Sequence, residues 1–361
     1  MVNNLIIRGK AAKTGQPTRY VICDPDDRCI TSVVQRHQKE NPDIEIHVAK
    51  NPYEVAIEAA TIVSMIPKLT HVQSVYTSTS SPSILAALKS GDLTEQQVKE
   101  TMCMDESTVE MDGSREVSRA IEETGAGMVD APVSGGQSHL ILLCQSSKVP
   151  SFAIGVYGAE QGTLTIMVGA SSSDKFERAK PTLQMMSKRV IHCGDLGAGL
   201  AAKICNNMML GISMLGLSEA MLLGKKLGLD QQILGDIINT STGQSWASSV
   251  CFPYLPFIRP ILTVPLPNAQ TNFPVPHVKI GDSSPAAHRN YKDGFLTQLA
   301  HKDLVLALAA AKAVDSPLYV GELTEKVYSR MMQDGEEFSN RDFSVVYKWL
   351  DEVVKSGSSK L

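Results

Sequence analysis

The chain has 361 residues, 43 % hydrophobic and 20 % charged, so it is long enough for two domains and can bury a substantial core. Its formal net charge is -4 and its 34 basic residues are spread along the sequence, which argues against a nucleic-acid-binding surface or attachment to an anionic membrane. We therefore expect a small molecule as the partner.

Short apolar runs alternate with helical stretches from Arg19 to about Cys193. The predicted strands are 20–23, 44–48, 62–66, 102–104, 127–129, 164–168 and 190–192, and the helices predicted between them include 30–40, 53–60, 114–123 and 174–186. Strands that alternate with helices predict an α/β fold, with a mainly parallel sheet covered on both faces in the doubly wound arrangement.

After Gly199 the strand signals nearly vanish, and the predicted helices are 200–227, 231–238, 296–313 and 320–333. This change predicts an all-α second domain, so we divide the chain into domains 1–194 and 195–355 and an exposed tail, 356–361. The apolar stretch 200–223 contains six polar residues, too many for a lipid-facing span, and is expected to be a buried helix of a soluble protein.

Two segments fit this organisation poorly. Residues 137–155 interrupt what would otherwise be a short turn, and residues 251–272 are apolar, rich in proline and without helical or strand periodicity. We interpret both as insertions, one in each domain.

The histidines and cysteines carry no metal signature. The eight histidines form neither an HExxH motif nor a close pair, and the seven cysteines are odd in number and never spaced as CxxC. We expect reduced thiols and no metal.

A glycine-rich segment, Ser134-Gly135-Gly136, follows a predicted strand. A hydroxyl and several unobstructed backbone N–H groups are suited to holding a carboxylate or a phosphate. Taken alone, the segment is more simply interpreted as a glycine turn after a strand.

Lys203 and Asn207 are four residues apart, so on a helix they lie about 40° from each other on one face. The predicted helix is apolar on nearly every side, where an ammonium group is costly, and partial desolvation favours the neutral amine that a general acid/base needs. The alternative is a lysine near the helix start that reaches solvent.

Asp24 ends the predicted strand Val21-Ile22-Cys23. Dinucleotide-binding folds use such an acid to bind a ribose 2′-hydroxyl, and its charge repels a 2′-phosphate. Many strands end in Asp, however, and residues 1–18 contain no GxGxxG motif.

Four motifs occur in a fixed order, DAPVSGG at 130–136, GAEQGTLTIMVG at 158–169, GAGLAAKICNN at 197–207 and GFLTQLAHKDL at 294–304. In this order they resemble the β-hydroxyacid dehydrogenases, and among these the 3-hydroxyisobutyrate dehydrogenases, over roughly residues 2–350 outside the insertions. The tail Asp342-Phe343-Ser344 resembles that family's final helix.

The resemblance implies an NAD-dependent oxidoreductase with a Rossmann-like domain, a long interdomain helix and an all-helical domain that supports a homodimer or a higher homo-oligomer. It implies Lys203 as the catalytic residue, Ser134, Gly135, Gly136 and Asn207 as substrate-binding residues, and Asp24, Ile66, Pro67, Thr108 and Lys302 as cofactor-binding residues. Phosphogluconate enzymes have His where this chain has Asn206, which argues against phosphogluconate as the substrate. In the family a strand and glycine loop precede a helix similar to residues 1–5, so we expect the first domain to lack both.

The function expected from the resemblance is hydride transfer between a small 3-hydroxy acid and NAD, with a role in valine catabolism. One alternative is a related reductase of tartronate semialdehyde or succinic semialdehyde. Another is an inactive paralogue that serves as a binding protein.

The chain ends in Ser359-Lys360-Leu361, which matches a peroxisomal import signal. We therefore expect a peroxisomal location and the import receptor as a partner. The alternative is the mitochondrion, where members of the similar family usually work.

Overall fold

The structure, a computed structural model, describes residues 1–12, 19–135, 162–249, 286–292 and 294–356. Gly136, both predicted insertions and the Ser359-Lys360-Leu361 tail lie outside the described residues. The chain forms two compact units, and the first contains the described residues up to Gly135 and from Gly162 to Lys203. The second begins at Ile204. The domain boundary at 194/195 stays a prediction.

The first unit contains all seven predicted strands and one more short strand. They are β1 Arg19–Ile22, β2 Glu45–Val48, β3 Thr61–Ser64, β4 Met102–Asp105, β5 Gly127–Asp130, β6 Val133–Ser134, β7 Leu164–Ala170 and β8 Ser187–Gly194. β1 and β2 form a parallel two-stranded sheet, and the other six form a sheet in the order β3-β4-β5-β7-β6 with β8 beside β7. Among the described residues no pairing joins the two sheets.

The larger sheet is mixed rather than uniformly parallel. β3, β4 and β5 are parallel, but β7 runs antiparallel to both β5 and β6. β5 and β6 are two parts of one extended stretch interrupted at Ala131 and Pro132, and Pro132 has no N–H for a continuous ladder. The DAPVSGG motif is therefore part of the sheet up to Ser134.

Eight helices belong to the first unit within its described residues. They are α1 Val2–Ala12, α2 Asp27–Glu40, α3 Pro52–Glu58, α4 Leu69–Thr77, α5 Ile84–Lys89, α6 Glu95–Glu100, α7 Met111–Glu122 and α8 Ser173–Gln184. Side-chain caps define several of their starts, including Asn51 before Pro52 in α3 and a capping box of Thr94 and Gln97 in α6.

The larger sheet is covered on both faces, as the doubly wound prediction requires. Side chains alternate between faces along a strand, so Cys103 of β4 packs with Val72, Ile121 and Met128, whereas Met104 packs in a second cluster. That second cluster includes residues of β7 and α8.

Apart from an isolated β-bridge between Leu296 and Asp342, the regular structure in the described residues of the second unit is helical. Its helices are α9 Ala198–Lys226, which starts in the first unit, α10 Gln231–Thr240, α11 Trp246–Ser249, α12 Thr297–Ala313, α13 Tyr319–Gln333, α14 Glu336–Ser339 and α15 Val346–Ser356. Its core surrounds the buried side chains of Trp349, Tyr328 and Met214. By length and composition alone α9 could span a membrane, a test that a core helix also passes.

Candidate functional site

Three polar residues form a row across the parallel strands of the larger sheet. Ser64 ends β3, Asp105 ends β4 and Asp130 ends β5, and the strand register places the three side by side. The loops that follow these strands therefore leave the sheet at one edge. Ligands of open α/β sheets bind outside this carboxyl edge.

A buried hydrogen-bond network connects two of these loops. Ser64 Oγ and Ser107 Oγ both donate to Asp105 Oδ1, at 2.8 and 2.5 Å, and the backbone N–H of Ile66 donates to Ser107 Oγ at 2.8 Å. Burial raises the pKa of Asp105, while the hydrogen bonds from Ser107 and Ser64 oppose that shift. The network thereby holds Ile66, a predicted cofactor-binding residue, against the loop that carries Thr108.

Glu106 lies in the same loop and is 1 % exposed. Neither of its carboxyl oxygens has a hydrogen-bond partner in the described residues. Burial raises the pKa of Glu106 to about 8; the Met1 amino group lowers this pKa and Asp105 raises it further. This shift favours the neutral carboxyl, which can donate a hydrogen bond, and such a donor fits a site for a ligand rich in acceptors, as NAD is.

Asp24 follows β1, in the smaller sheet, and is exposed. One carboxylate oxygen accepts from the N–H of Asp26 at 2.8 Å, and Asp26 itself caps α2 and binds the Arg28 guanidinium. The turn thus holds the Asp24 carboxylate in place, while the Arg28 guanidinium is paired with Asp26. An exposed carboxylate after a strand is suited to ribose hydroxyls.

The predicted substrate loop is described only in part. Ser134 ends β6, where it pairs with Thr165 of β7, and both Ser134 and Gly135 are half-buried. Pro67 lies after β3 and is exposed. Gly136 lies outside the described residues, so its predicted role stays a prediction.

Lys203 lies in the second turn of α9 and is 9 % exposed, and Asn207 follows one turn later at 5 %. The alternative of a lysine that reaches solvent is therefore wrong. Both polar side chains are therefore buried, although the helix that carries them is largely apolar.

In the second unit Asp303 connects two predicted site residues. Asn207 Nδ2 donates to Asp303 Oδ2 at 2.5 Å, and Lys302 Nζ forms an ion pair with Asp303 Oδ1 at 3.3 Å. Asn206 Nδ2 in turn donates to Asn207 Oδ1 at 3.0 Å. Sequence reasoning missed Asp303, although it belongs to the GFLTQLAHKDL motif, because its partner on α9 is remote in sequence.

The described residues thus bring Ile66 close to the Thr108 loop and Asn207 close to Lys302, while Asp24 lies in the separate sheet. Within those residues no group of three metal-ligating side chains occurs.

Comparison with known proteins gives matches over both units. A family model described as the NAD binding domain of 6-phosphogluconate dehydrogenase matches residues 21–140 and 153–194. Another, described as NAD-binding of NADP-dependent 3-hydroxyisobutyrate dehydrogenase, matches 197–259 and 281–350. The unmatched stretches between these ranges overlap the two predicted insertions, which stay predictions.

The mitochondrial 3-hydroxyisobutyrate dehydrogenase of Homo sapiens is 36 % identical over 314 residues, which are 87 % of this chain and 76 % of the human protein. The chain belongs to the β-hydroxyacid dehydrogenase family. The probable mitochondrial enzyme of Dictyostelium discoideum is also 36 % identical, over 86 % of this chain and 79 % of that protein. A solved structure of the Mycobacterium tuberculosis enzyme with L-serine matches with a TM-score of 0.69 and 30 % identity, over 96 % of this chain and 93 % of that chain.

This β-hydroxyacid dehydrogenase is an NAD-dependent oxidoreductase with an α/β NAD-binding domain followed by an all-α domain, as predicted. The expected peroxisomal location is wrong, because the similar dehydrogenases are named mitochondrial. That expectation rested on three terminal residues, whereas the similarity to mitochondrial enzymes extends over more than 300. The import receptor was expected from the same three residues, and nothing in these comparisons shows it.

Proposed function

We propose that this dehydrogenase oxidises a small, branched 3-hydroxy acid of the 3-hydroxyisobutyrate type to the corresponding aldehyde. The observation that carries the proposal is the buried Lys203, one turn before Asn207, in a chain whose relatives are named 3-hydroxyisobutyrate dehydrogenases. The L-serine named with the structural relative supports it, since serine is itself a three-carbon acid with a 3-hydroxyl group.

Lys203 acts as the general acid/base. In the oxidation its neutral amine takes the proton of the substrate hydroxyl as the C–H bond breaks, and the resulting ammonium returns that proton to solvent. A positive centre near the oxygen also stabilises developing alkoxide charge. The nicotinamide of bound NAD supplies the hydride acceptor.

Ser134, Gly135 and Gly136 hold the substrate carboxylate through the serine hydroxyl and backbone N–H groups. Asn207 orients the substrate. Its amide is itself fixed by Asn206 and Asp303, so little rotamer entropy remains to be lost on binding.

Asp24, Ile66, Pro67, Thr108 and Lys302 bind the cofactor. The exposed Asp24 carboxylate favours NAD over NADP because a 2′-phosphate beside it meets like charge. The description of one matching family model names an NADP-dependent enzyme, so the choice between the two cofactors is a direct test of Asp24.

The enzyme forms a homodimer through an apolar stripe on α9. Met209 and Leu223 on α9 and Leu227 directly after it are 60, 61 and 71 % exposed, and they continue the face that carries the exposed Gly216 and Ala220. A Cβ on Gly216 would meet nothing within 4 Å, which leaves room for the close approach of another helix. Exposed apolar faces of this kind mark protein contacts.

The reaction takes place in the mitochondrion and belongs to valine catabolism. The names of the similar mitochondrial dehydrogenases support the mitochondrial location.

A substrate panel tests the proposal. Formation of NADH is followed with 3-hydroxyisobutyrate, L-serine, glycerate and 4-hydroxybutyrate, the last two being the reduced forms of tartronate semialdehyde and succinic semialdehyde. We expect the highest kcat/KM with 3-hydroxyisobutyrate. A preference for glycerate or 4-hydroxybutyrate assigns the enzyme to the corresponding semialdehyde reductases, and no turnover with any of the four contradicts the proposal.

A further inference from the structure

Asp130, at the end of β5, is 1 % exposed and lies outside the set of predicted site residues. Its carboxylate accepts from the backbone N–H of Gly197 at 2.6 Å and from that of Leu200 at 2.9 Å. These donors belong to the start of α9, where backbone N–H groups have no partner within the helix. A residue about 70 positions earlier in the chain therefore supplies the N-terminal cap of α9.

Two glycines make this contact possible. A Cβ on Gly199 would overlap the carbonyl oxygen of Met167 and lie 2.8 Å from Asp130 Oδ2. A Cβ on Gly169 would overlap Asp130 Oδ1. The start of α9 is thus pressed directly onto β7 and onto the Asp130 carboxylate, with no space for any side chain between them.

This close packing fixes the helix in both translation and rotation. Displacement along the helix axis by one residue corresponds to about 1.5 Å and turns every side chain by about 100°. Such a displacement would break both bonds to Asp130 and bring the Cβ of a neighbouring residue against β7. Only one register of α9 lets both N–H groups bind Asp130 and also places Gly169 and Gly199 at the two points of closest approach.

Lys203 lies three residues after Leu200, less than one turn away and within the same compact unit as Asp130. The helix between them is continuous, so the position of Leu200 determines where the Lys203 backbone lies. Asp130, Gly169 and Gly199 belong to three of the four sequence motifs. These motifs therefore contact one another at the start of α9, the part of the helix that positions Lys203.

We propose that Asp130 is a positioning residue of the dehydrogenase, which sets the register of α9 and thereby the place of the Lys203 amine. Asp130 touches neither substrate nor cofactor in this role, and it acts only through the helix. The inference rests on the proposed role of Lys203 as general acid/base. A negative group at a helix N-terminus also interacts favourably with the helix dipole, which strengthens the cap.

Asp130→Asn tests the proposal, because the asparagine keeps the shape but offers an NH₂ group to one of the two backbone donors. We expect kcat to fall at least about tenfold, since displacement by about 1 Å costs up to a hundredfold in well-aligned sites. The KM for NAD should stay within about twofold of the wild-type value, and the pH profile of kcat should shift because the surroundings of Lys203 change. Gly199→Ala, which leaves Asp130 intact, should reproduce the same pattern.

Ser83→Ala is the matched control. Ser83 is also a buried N-cap in the first unit, since its hydroxyl accepts from the N–H of Ala86 and caps α5. Its loss lowers the stability of the first unit, as loss of a cap does in general. We expect a lower Tm for Ser83→Ala, with kcat and its pH profile unchanged.

A second readout needs no bound cofactor. Labelling of lysines by a small amine-reactive reagent, quantified by mass spectrometry, compares Lys203 with the exposed Lys226 at the other end of α9. Asp130→Asn and Gly199→Ala should change the rate of Lys203 labelling severalfold and leave that of Lys226 unchanged. Ser83→Ala should change neither.

The outcomes separate this inference from the proposed function. If Lys203→Ala itself keeps most of its activity, the proposed role of Lys203 fails. If Lys203→Ala is inactive but folded Asp130→Asn or Gly199→Ala has wild-type kcat, pH profile and Lys203 labelling, the inference is overturned. Should Asp130→Asn not fold, Gly199→Ala decides the matter with the same three measurements.

Discussion

Glu106 makes the stability of the first unit depend on pH in an unusual direction. Burial raises the pKa of its carboxyl to about 8 in the folded protein, against 4.5 for an ordinary glutamate. Between these two values the folded state holds a proton that the unfolded state releases. Stability must therefore fall as the pH rises through this interval and become constant above the folded-state pKa.

The size of the effect follows from the same two pKa values. Each unit of pKa difference is worth about 1.4 kcal/mol, so the interval corresponds to a loss on the order of 4 to 5 kcal/mol above pH ~8. Glutamine is neutral in both states. Glu106→Gln should therefore remove this loss, so that the variant gains stability relative to the wild type as the pH rises.

Denaturant unfolding at several pH values between about 5 and 9 measures this difference. Far-UV circular dichroism is the suitable signal, because both tryptophans, Trp246 and Trp349, lie in the second unit. Glu116→Gln, an exposed position on α7, is the control and should leave the pH dependence unchanged. If the difference in unfolding free energy between Glu106→Gln and the wild type stays constant from pH ~5 to ~9, Glu106 is not a buried neutral carboxyl.

The remaining predictions concern cofactor choice, the second unit and assembly. Asp24→Ser should lower kcat/KM for NAD and raise it for NADP, changing their ratio at least about tenfold; an unchanged ratio contradicts the assignment of Asp24. Asp303→Asn removes the carboxylate charge that pairs with Lys302 and weakens the hydrogen bond from Asn207, so steady-state assays should give a kcat/KM lower by about tenfold or more. Leu223→Asp should convert the proposed dimer to a monomer in light scattering, and a wild-type protein that is already monomeric excludes the α9 interface.

The long elements of this fold could be predicted from the sequence because their patterns are repeated over many residues. All seven predicted strands are present, and so are the four helices predicted in the second unit. The short helices α4, α5 and α6 were not predicted, because six to nine residues leave few turns in which an apolar period can repeat; of the helices this short in the first unit, only α3 was predicted.

The candidate site was predictable only where one motif contains the chemistry. Lys203 and Asn207 stand out because polar residues in an apolar helix need a purpose. Asp105, Asp130 and Asp303 did not stand out, because their partners are brought to them by tertiary folding. Buried carboxylates of this kind act on residues that are distant in sequence, so no local pattern identifies their partners.

Lys203→Ala tests most directly whether a buried lysine transfers the proton in this NAD-dependent oxidation. Loss of a general acid/base should lower kcat with 3-hydroxyisobutyrate at least about a hundredfold, while the affinity for NAD changes little. Lys226→Ala removes an exposed lysine from the same helix and should retain full activity. A folded Lys203→Ala enzyme that keeps more than about a tenth of the wild-type kcat would contradict the account.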